Sequence, residues 1–201
     1  MTHPLERKRV PREPFPLPTP ALFLDRDGVL IEDRHHLRDP AQVELCPGAH
    51  QLLQEARIHR WPVVVITNQS GISRGYFEWC SYERVTDRLL ELLGPEAPIA
   101  AIYANGHGPN APPNSWRKPS PGMLWAAKAD LNLDLGRSLL IGDRLSDLQA
   151  GALAKVGCLF HVLSGHGASE RSQVQGWLTP NKPLLLNSLL DFPVELFSHQ
   201  P

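Results

Sequence analysis

The sequence has few cysteines, no long apolar run and no excess of basic residues. Its three cysteines, Cys46, Cys80 and Cys158, lie far apart and form no CxxC pair, which argues against a disulfide framework or a thiolate metal site. No apolar run approaches the length of a membrane span, and the N-terminal residues lack the apolar core of a secretion signal. We therefore expect a cytoplasmic protein with no membrane partner.

The charge balance excludes a further class of function. The formal net charge is -1, and the only basic cluster is ERKR at residues 6–9. Strong non-specific binding to nucleic acid is therefore not expected, and solvation of this cluster is favoured over an acidic partner. The 201 residues, 42% of them hydrophobic, suit one globular domain. We expect a monomer with a flexible or extended, proline-rich arm at 1–20 and a single domain at 21–201.

Short apolar runs alternate with amphipathic segments along the chain. Strands are predicted at 21–24, 63–66, 99–103, 138–141 and 158–162, and helices at 48–60, 79–93, 121–130, 146–154 and 184–190. Ser146 is the predicted N-cap of its helix. The alternation predicts a Rossmann-like α/β fold, a doubly wound parallel sheet with helices on both faces. Ligands of such sheets bind beyond the carboxyl ends of the strands.

The first polar cluster, DRDG at residues 25–28, follows a predicted strand. Because side chains alternate along a strand, Asp25 and Asp27 can both face one cleft just past its end. Carboxylates this close repel each other and favour a cation between them, typically Mg²⁺. One carboxylate could then act as nucleophile and the other as acid and base. A turn after a strand is the other interpretation of DxDG alone.

The second cluster, TNQSG at residues 67–71, directly follows the strand predicted at 63–66. Its hydroxyl, amide and backbone N–H donors suit phosphate oxygens, and Arg74 and Gly75 could extend this set. The alternative is a polar turn that caps a helix. Five consecutive small polar residues exceed what such a turn needs, so a functional role is favoured.

Two further clusters add cations and carboxylates. In RKPSPGM, at residues 117–123, Lys118 could reach a phosphoryl group and Arg117 a second anion, although a solvated pair is the simpler interpretation in isolation. In GDRLSD, at residues 142–147, Asp143 could complete the carboxylate set of a metal. Asp147 could serve this site or only the helix N-terminus, where the dipole favours an anion.

The order of these four motifs, over about residues 21–165, resembles the haloacid dehalogenase superfamily of phosphatases. More narrowly, LDRDGVLIED, VVVITNQSGISRGYF and RKPSPGM resemble the branch of heptose bisphosphate 7-phosphatases and histidinol-phosphate phosphatases, which lacks a large cap domain. The resemblance implies a Mg²⁺-dependent phosphomonoester hydrolase that forms an aspartyl-phosphate. The implied substrate is a small sugar phosphate, with D-glycero-D-manno-heptose 1,7-bisphosphate, losing its 7-phosphate, ahead of histidinol phosphate.

The resemblance also implies residue roles. Asp25 would be the nucleophile, Asp27 the acid and base, and Lys118, with Thr67, would complete the catalytic set. Mg²⁺ would be bound by Asp25, Asp143 and the backbone carbonyl of Asp27. Contacts to the substrate would come from a larger set of polar residues: Asp33, Arg34, His35, His36, Thr67, Asn68, Gln69, Ser70, Arg117, Lys118 and Arg144.

One departure from the branch concerns a zinc loop that relatives often carry before RKP. In this chain His107 is the only candidate ligand in that region, and a closed zinc site needs about four ligands. We therefore expect no structural zinc, and a loop held by Pro112, Pro113 and the Trp116 ring. The adjacent His35 and His36 are expected to contact substrate or solvent rather than a metal.

Two functions of other classes stay open. A polynucleotide 3′-phosphatase would share the DxDG motif and a TNQxGIxRG-like segment, but this sequence lacks a basic face and a kinase P-loop. A non-catalytic phosphate-binding protein would not need intact Asp25, Asp27, Lys118 and Asp143. A small phosphate ester is thus the expected partner.

Overall fold

The computed structural model describes residues 5–11, 13–113 and 115–198, and a seven-stranded sheet forms the centre of this part of the chain. The sheet order is β1-β4-β3-β2-β5-β6-β7, and every neighbouring pair is parallel except β1 with β4. The strands are β1 Glu6–Arg9, β2 Leu22–Leu24, β3 Val63–Asn68, β4 Ala101–Asn105, β5 Leu139–Gly142, β6 Cys158–His161 and β7 Leu184–Leu185. The described α-helices are α1 Ala49–Ile58, α2 Trp79–Leu93, α3 Gly122–Leu131, α4 Leu145–Leu153 and α5 Gly167–Gly176.

Both faces of the sheet are covered by helices, because successive apolar residues of the central strands point to opposite sides. Leu24 and Val65 lie in the same cluster as residues of α1 and α2. Phe23, Val64 and Ile66 lie in the cluster that includes residues of α3 and α4. The predicted α/β fold with helices on both faces is therefore confirmed.

The topology brings the ends of three strands together. The strand β2 lies between β3 and β5, where the strand order reverses, so the carboxyl ends of all three meet at one edge of the sheet. The segments between these strands and their next helices, 25–48 and 69–78, hold only one short 3-10 helix, Pro40–Gln42. Neither segment is long enough for a large cap domain, so the side of the sheet where these three strands end is open to ligands.

Among the first described residues, Glu6–Arg9 are extended rather than flexible, and they belong to the sheet rather than to an arm. These residues form β1, which pairs antiparallel with β4 at the edge of the sheet. The basic side chains are ion-paired rather than merely solvated: Arg7 with Glu83 at 3.2 Å, Lys8 with Asp130 at 2.8 Å, and Arg9 with Asp87 at 2.8 Å. Backbone hydrogen bonds to β4 and these ion pairs hold the strand in place, and its sequence has no alternating apolar residues. Residues 1–4 and 12 of the predicted arm lie outside the described residues.

Three local predictions also need correction. The segment predicted as a last helix at 184–190 instead contains β7 and a 3-10 turn at Leu189–Asp191. The helix α5 was not predicted. Ser146 is not an N-cap, because α4 begins at Leu145 and the Asp147 carboxylate accepts the Arg144 N–H at 3.0 Å. No helix in the described ranges combines the length and apolar character of a membrane span.

Candidate active site

Three buried carboxylates meet at the ends of the central strands. Asp25 follows β2, Asp143 follows β5, and Asp147 lies in the first turn of α4. Each offers one oxygen, and these three oxygens lie within 4.8 Å of one another. At most 8% of any of these residues is exposed, so water screens their repulsion poorly. The cluster therefore requires positive charge.

Lys118 supplies part of that charge from the loop before α3. Its ammonium lies 2.9 Å from Asp25 Oδ2 and 2.8 Å from Asp147 Oδ1, and it donates to the Ile66 carbonyl at 3.0 Å. Asn68 fixes the backbone of this lysine, because its Oδ1 accepts the Lys118 N–H and its Nδ2 donates to the Lys118 carbonyl. One lysine against three acids leaves the cluster negative if all are ionised.

The remaining imbalance fits a hard divalent cation. Burial, opposed by Lys118 and reinforced by Asp147, raises the pKa of Asp25 to about 7. Burial, with Asp147 and Asp25, also raises the pKa of Asp143 well above its usual range. Within the described residues, the buried Asp143 Oδ1 has no hydrogen-bond partner. An oxygen-only, negative site with a free carboxylate oxygen is what Mg²⁺ requires. Asp147, which sequence reasoning left undecided, belongs to this cluster.

Asp27 lies beside the cluster in a different set of contacts. Its Oδ2 accepts from Gln69 Nε2 at 2.7 Å and lies 3.5 Å from Thr67 Oγ1. The buried Arg26 guanidinium, 3.0 Å from the same oxygen, packs over the Tyr82 ring. Sequence reasoning gave Arg26 no role, although it separates the two aspartates. These contacts fix the Asp27 carboxylate without burying it.

Two glycines make room for the Asp143 carboxylate. Gly28 has a φ of +84°, and a Cβ on it would lie 2.5 Å from Asp143 Oδ2. Gly165 approaches the same oxygen from the other side, where its Cβ would lie 2.4 Å away. The backbone N–H of His166 donates to Asp143 Oδ2 at 2.8 Å, and the buried His161 ring contacts the Asp143 carbonyl at 2.9 Å. Asp143 is thus held from several directions.

We expect Gly28→Ala to weaken Mg²⁺ activation by at least about tenfold, because the new methyl group would displace the Asp143 carboxylate. The measurement is phosphate release from para-nitrophenyl phosphate across a Mg²⁺ titration. Gly94→Ala is the matched control, since Gly94 also has a positive φ, +64°, but no atom within 4 Å of its Cβ position. Equal Mg²⁺ dependence in the two variants would contradict this role for Gly28.

A cavity of about 620 Å³ opens over the cluster. It is lined by most of the predicted substrate-contacting residues: Asp33, His35, His36, Thr67, Asn68, Gln69, Ser70, Arg117, Lys118 and Arg144. Arg34 does not line it, because its guanidinium pairs with Glu44 at 2.7 Å. Lining residues outside the predicted site set include Arg74, Asp147, His166 and Glu170. The sequence indicates a possible role for Arg74 and Asp147, whereas His166 and Glu170 belong to none of its motifs.

The two adjacent histidines have different neighbours at the cavity mouth. His35, Asp33 and His166 place one possible ligand atom each within 4.8 Å, and Asp33 Oδ2 lies 2.9 Å from His166 Nε2. His36 instead packs against Tyr76, with ring centroids 4.8 Å apart. His35 and His36 both have positive φ, +46° and +59°, which is uncommon for residues other than glycine. The loop therefore presents the two rings to different surroundings.

Three arginines line the less buried, outer part of the cavity, where Arg144 also lies 3.9 Å from Glu170. Arg74, Arg117 and Arg144 all line it, from the segments after β3, before α3 and before α4. Burial lowers the pKa of Arg117, and the nearby Arg74 and Arg144 lower it further. The mutual repulsion of the three guanidinium groups favours an anion bound between them. This anion would be separate from any ligand bound at the carboxylate cluster.

The raised pKa of Asp25 predicts a pH-dependent effect of Mg²⁺ on stability. Without metal, the folded protein keeps this proton to a higher pH than the unfolded chain. The stability that this tighter proton binding adds to the fold is fully present below the pKa of Asp25 in the unfolded chain, near 3.8. It is lost as the pH rises through the folded pKa of about 7. Bound Mg²⁺ would compensate for the ionised carboxylates. We expect Mg²⁺ to raise the unfolding temperature more at about pH 8 than at about pH 5.5.

Calorimetric or dye-monitored unfolding at both pH values, with and without Mg²⁺, checks this expectation. Asp143→Asn, which removes one of the buried charges, should shrink the Mg²⁺ effect at the higher pH. An equal Mg²⁺ effect at both pH values would contradict the account of the cluster.

Two family models and several known proteins match this chain. A family model described as polynucleotide kinase 3 phosphatase matches residues 22–150, and one described as HAD-hydrolase-like matches residues 115–191. The chain is 44% identical to a D-glycero-beta-D-manno-heptose-1,7-bisphosphate 7-phosphatase from Mesorhizobium japonicum, over 76% of each chain. It is 40% identical to a D-glycero-alpha-D-manno-heptose-1,7-bisphosphate 7-phosphatase from Burkholderia mallei, over 68% of this chain and 76% of the relative.

A solved structure extends this similarity to the fold. The D,D-heptose 1,7-bisphosphate phosphatase from B. bronchiseptica, complexed with magnesium and phosphate, has a TM-score of 0.77 and 30% identity. The match covers 85% of this chain and 94% of that one. The similarity thus includes a protein that binds magnesium and phosphate.

Proposed function

This chain belongs to the haloacid dehalogenase-like phosphatases, and we propose that it removes the 7-phosphate of D-glycero-D-manno-heptose 1,7-bisphosphate with Mg²⁺. The observation that carries this proposal is the division of the cavity into two parts. The inner part holds the buried Asp25, Lys118 and acidic cluster, and the outer part holds the less buried Arg74, Arg117 and Arg144, of which Arg144 lies 3.9 Å from Glu170. A sugar with one phosphate at each end would place them in the two parts.

The proposed reaction transfers the phosphoryl group to Asp25 and then to water. As the Asp25 oxygen bonds to phosphorus, the bond from phosphorus to the C7 oxygen breaks, and Asp27 gives its proton to that oxygen. Water then attacks phosphorus and returns a proton to Asp27, the bond to Asp25 breaks, and phosphate leaves. Lys118, 2.9 Å from Asp25, reduces the repulsion between the nucleophile and the phosphate.

The metal fits the same scheme. Asp25, Asp143 and Asp147 would hold Mg²⁺, with the Asp27 carbonyl as a further oxygen ligand implied by the family. When bound, Mg²⁺ would neutralise charge on the transferred phosphoryl group. The Thr67 hydroxyl, which lines the cavity at the end of β3, would donate to a phosphoryl oxygen, whereas the Asn68 side chain would act by holding the backbone of Lys118.

The outer arginines favour a second phosphate over a cationic group. Arg117, Arg74 and Arg144 would bind the C1 phosphate, where guanidinium groups donate in a fork that matches the oxygens. Histidinol phosphate carries an amine in place of this phosphate, and the arginines would repel it. The relatives named above act on different anomers of the heptose, so both anomers belong in the test.

A polynucleotide 3′-phosphatase is the second candidate, because the corresponding family model matches residues 22–150. Strong binding of a nucleic acid requires a row of free cations along its backbone. Among the described residues, the basic side chains of β1 are paired with acids of α2 and α3. Together with a net charge of -1, this argues for a small substrate.

The test is a comparison of kcat/KM with Mg²⁺ for both heptose bisphosphate anomers, histidinol phosphate and a 3′-phosphorylated oligonucleotide. One anomer is expected to exceed the last two substrates by at least about tenfold, since a charge-assisted contact contributes about 1.5–3 kcal/mol. Arg117→Met should reduce this preference and leave para-nitrophenyl phosphate turnover unchanged. A higher kcat/KM for histidinol phosphate or the oligonucleotide would overturn the proposed substrate but not the phosphatase chemistry.

A further inference from the structure

The segment that carries Arg117 into the cavity has little structure of its own. We define the recognition loop as residues 106–117, between β4 and α3, of which Asn114 lies outside the described residues. Inside it, backbone hydrogen bonds join Ala111 to Gly108 at 3.1 Å and Ser115 to Pro112 at 3.0 Å. At its two ends, the Ser73 N–H donates to the Gly106 carbonyl at 3.2 Å, and Asn68 holds the backbone of Lys118, the residue after the loop. These contacts and the two local turns leave the path of the residues between them to be fixed by other parts of the chain.

A further anchor of the loop is provided by Glu6 of β1 and by Leu5 before it. Glu6, in β1, accepts the backbone N–H of Trp116 at 2.8 Å, and the same carboxylate oxygen lies 3.8 Å from His107 Nε2. The preceding residue, Leu5, accepts the N–H of Gly106 at 2.6 Å. Glu6 therefore contacts both the first and the last part of the recognition loop, and it joins them across ten residues of irregular chain.

Both contacts lead directly to Arg117. Trp116 is its neighbour in sequence, and its ring packs against Tyr103 with centroids 5.6 Å apart. His107 is its partner in space, because Arg117 Nη1 donates to the His107 carbonyl at 2.9 Å. A shift of either contact would move the guanidinium that lines the cavity.

We propose that Glu6 is a positioning residue that holds the recognition loop closed on β1 and thereby fixes Arg117 for the second phosphate. This inference rests on the proposed function for the role of Arg117, but not for the anchoring itself. The proposed role also explains the presence of β1, because a polar edge strand with no apolar face contributes little to the core. Of the expected supports, the Trp116 ring packs against Tyr103 and the Pro112 carbonyl accepts the Ser115 N–H, and Glu6 adds to both.

Substitutions in β1 can test whether Glu6 positions the recognition loop. Glu6→Ala removes the acceptor, whereas Glu6→Gln keeps an oxygen that can accept the Trp116 N–H. Arg9→Gln is the matched control, because it removes the ion pair with Asp87 from the same strand without a contact to the loop. The ion pair of Lys8 with Asp130 and the backbone pairing with β4 remain in every variant and keep β1 in place.

The first measurement is steady-state kinetics on the heptose bisphosphate and on para-nitrophenyl phosphate, which has no second phosphate. Glu6→Ala should raise KM for the bisphosphate about tenfold with little change in kcat, and leave the nitrophenyl ester unaffected. Glu6→Gln and Arg9→Gln should resemble the wild type. A purely electrostatic role predicts the opposite sign, since loss of a negative charge would improve anion binding and lower KM.

The second measurement does not depend on the substrate. Hydrogen exchange followed by mass spectrometry should show faster exchange for peptides that contain Trp116 in Glu6→Ala, but not in Arg9→Gln. Unchanged exchange in Glu6→Ala, or faster exchange without a higher KM, would overturn the inference. If the wild type hydrolyses only the nitrophenyl ester, the proposed substrate fails, and the exchange result still decides whether Glu6 anchors the loop.

Discussion

Asp25→Asn is expected to release phosphate at least about 10⁴-fold more slowly than the wild type at saturating Mg²⁺. The substitution removes the atom that would attack phosphorus and replaces it with a neutral amide that cannot form a stable phosphorylated intermediate. It also removes one oxygen of the acidic cluster that would bind the metal. Both losses act on the same chemical step, so no other single substitution in the cavity should reduce kcat further.

The loss of activity in Asp25→Asn should not come from loss of fold. Because the amide removes one of three buried, mutually repelling acids, the metal-free variant should unfold at a temperature no lower than the wild type above about pH 7. Asp87→Asn, in an exposed ion pair with Arg9, is the matched control and should keep wild-type kinetics. Residual activity in Asp25→Asn above about 1% of wild type would be incompatible with a nucleophilic role.

Lys118→Met is expected to lose most of its activity, although no more than Asp25→Asn, and to cost about 3–5 kcal/mol of unfolding free energy without metal. The lysine is only 3% exposed and lies within 2.9 Å of Asp25 and 2.8 Å of Asp147. Its removal leaves two buried carboxylates without their cation. This loss of unfolding free energy should grow as the pH rises, because the two carboxylates then lose the protons that would neutralise them. Denaturant unfolding at two pH values measures both effects.

Mg²⁺ should restore part of the stability of Lys118→Met but none of its activity, since the metal supplies charge without replacing the ammonium beside Asp25. Lys128→Met, on the exposed side of α3, is the matched control and should change neither quantity. A stability of Lys118→Met equal to that of the control would show that the buried ion pairs do not hold this edge of the sheet.

The positions of the cluster residues could be predicted because topology fixes them. Asp25 and Asp143 directly follow two short apolar strands, and parallel strands with right-handed connections place such ends side by side. The role of Asp147 could not be decided in the same way. Its position in the first turn of α4 explains an acid equally well, and only the contact with Lys118 separates the two interpretations.

The missed elements lack the pattern on which sequence reasoning depends. β1 has no apolar face, because its side chains pair with acids that lie 76 and more residues away in sequence. α5 buries only Gly167 and Val174, so its sequence shows no amphipathic period. His166 gave no motif either, since its backbone N–H, not its side chain, contacts Asp143. Contacts of this kind become visible only when the chain is folded.

The measurement that tests the account most directly is a ³¹P NMR time course of D-glycero-D-manno-heptose 1,7-bisphosphate with this protein and Mg²⁺. We predict that the C7 phosphate signal is replaced by inorganic phosphate while the C1 phosphate signal remains, and that chelation of Mg²⁺ stops the change. Release of the C1 phosphate, or release that continues without a divalent cation, would contradict the assignment of the acidic cluster and the arginines to the two phosphates.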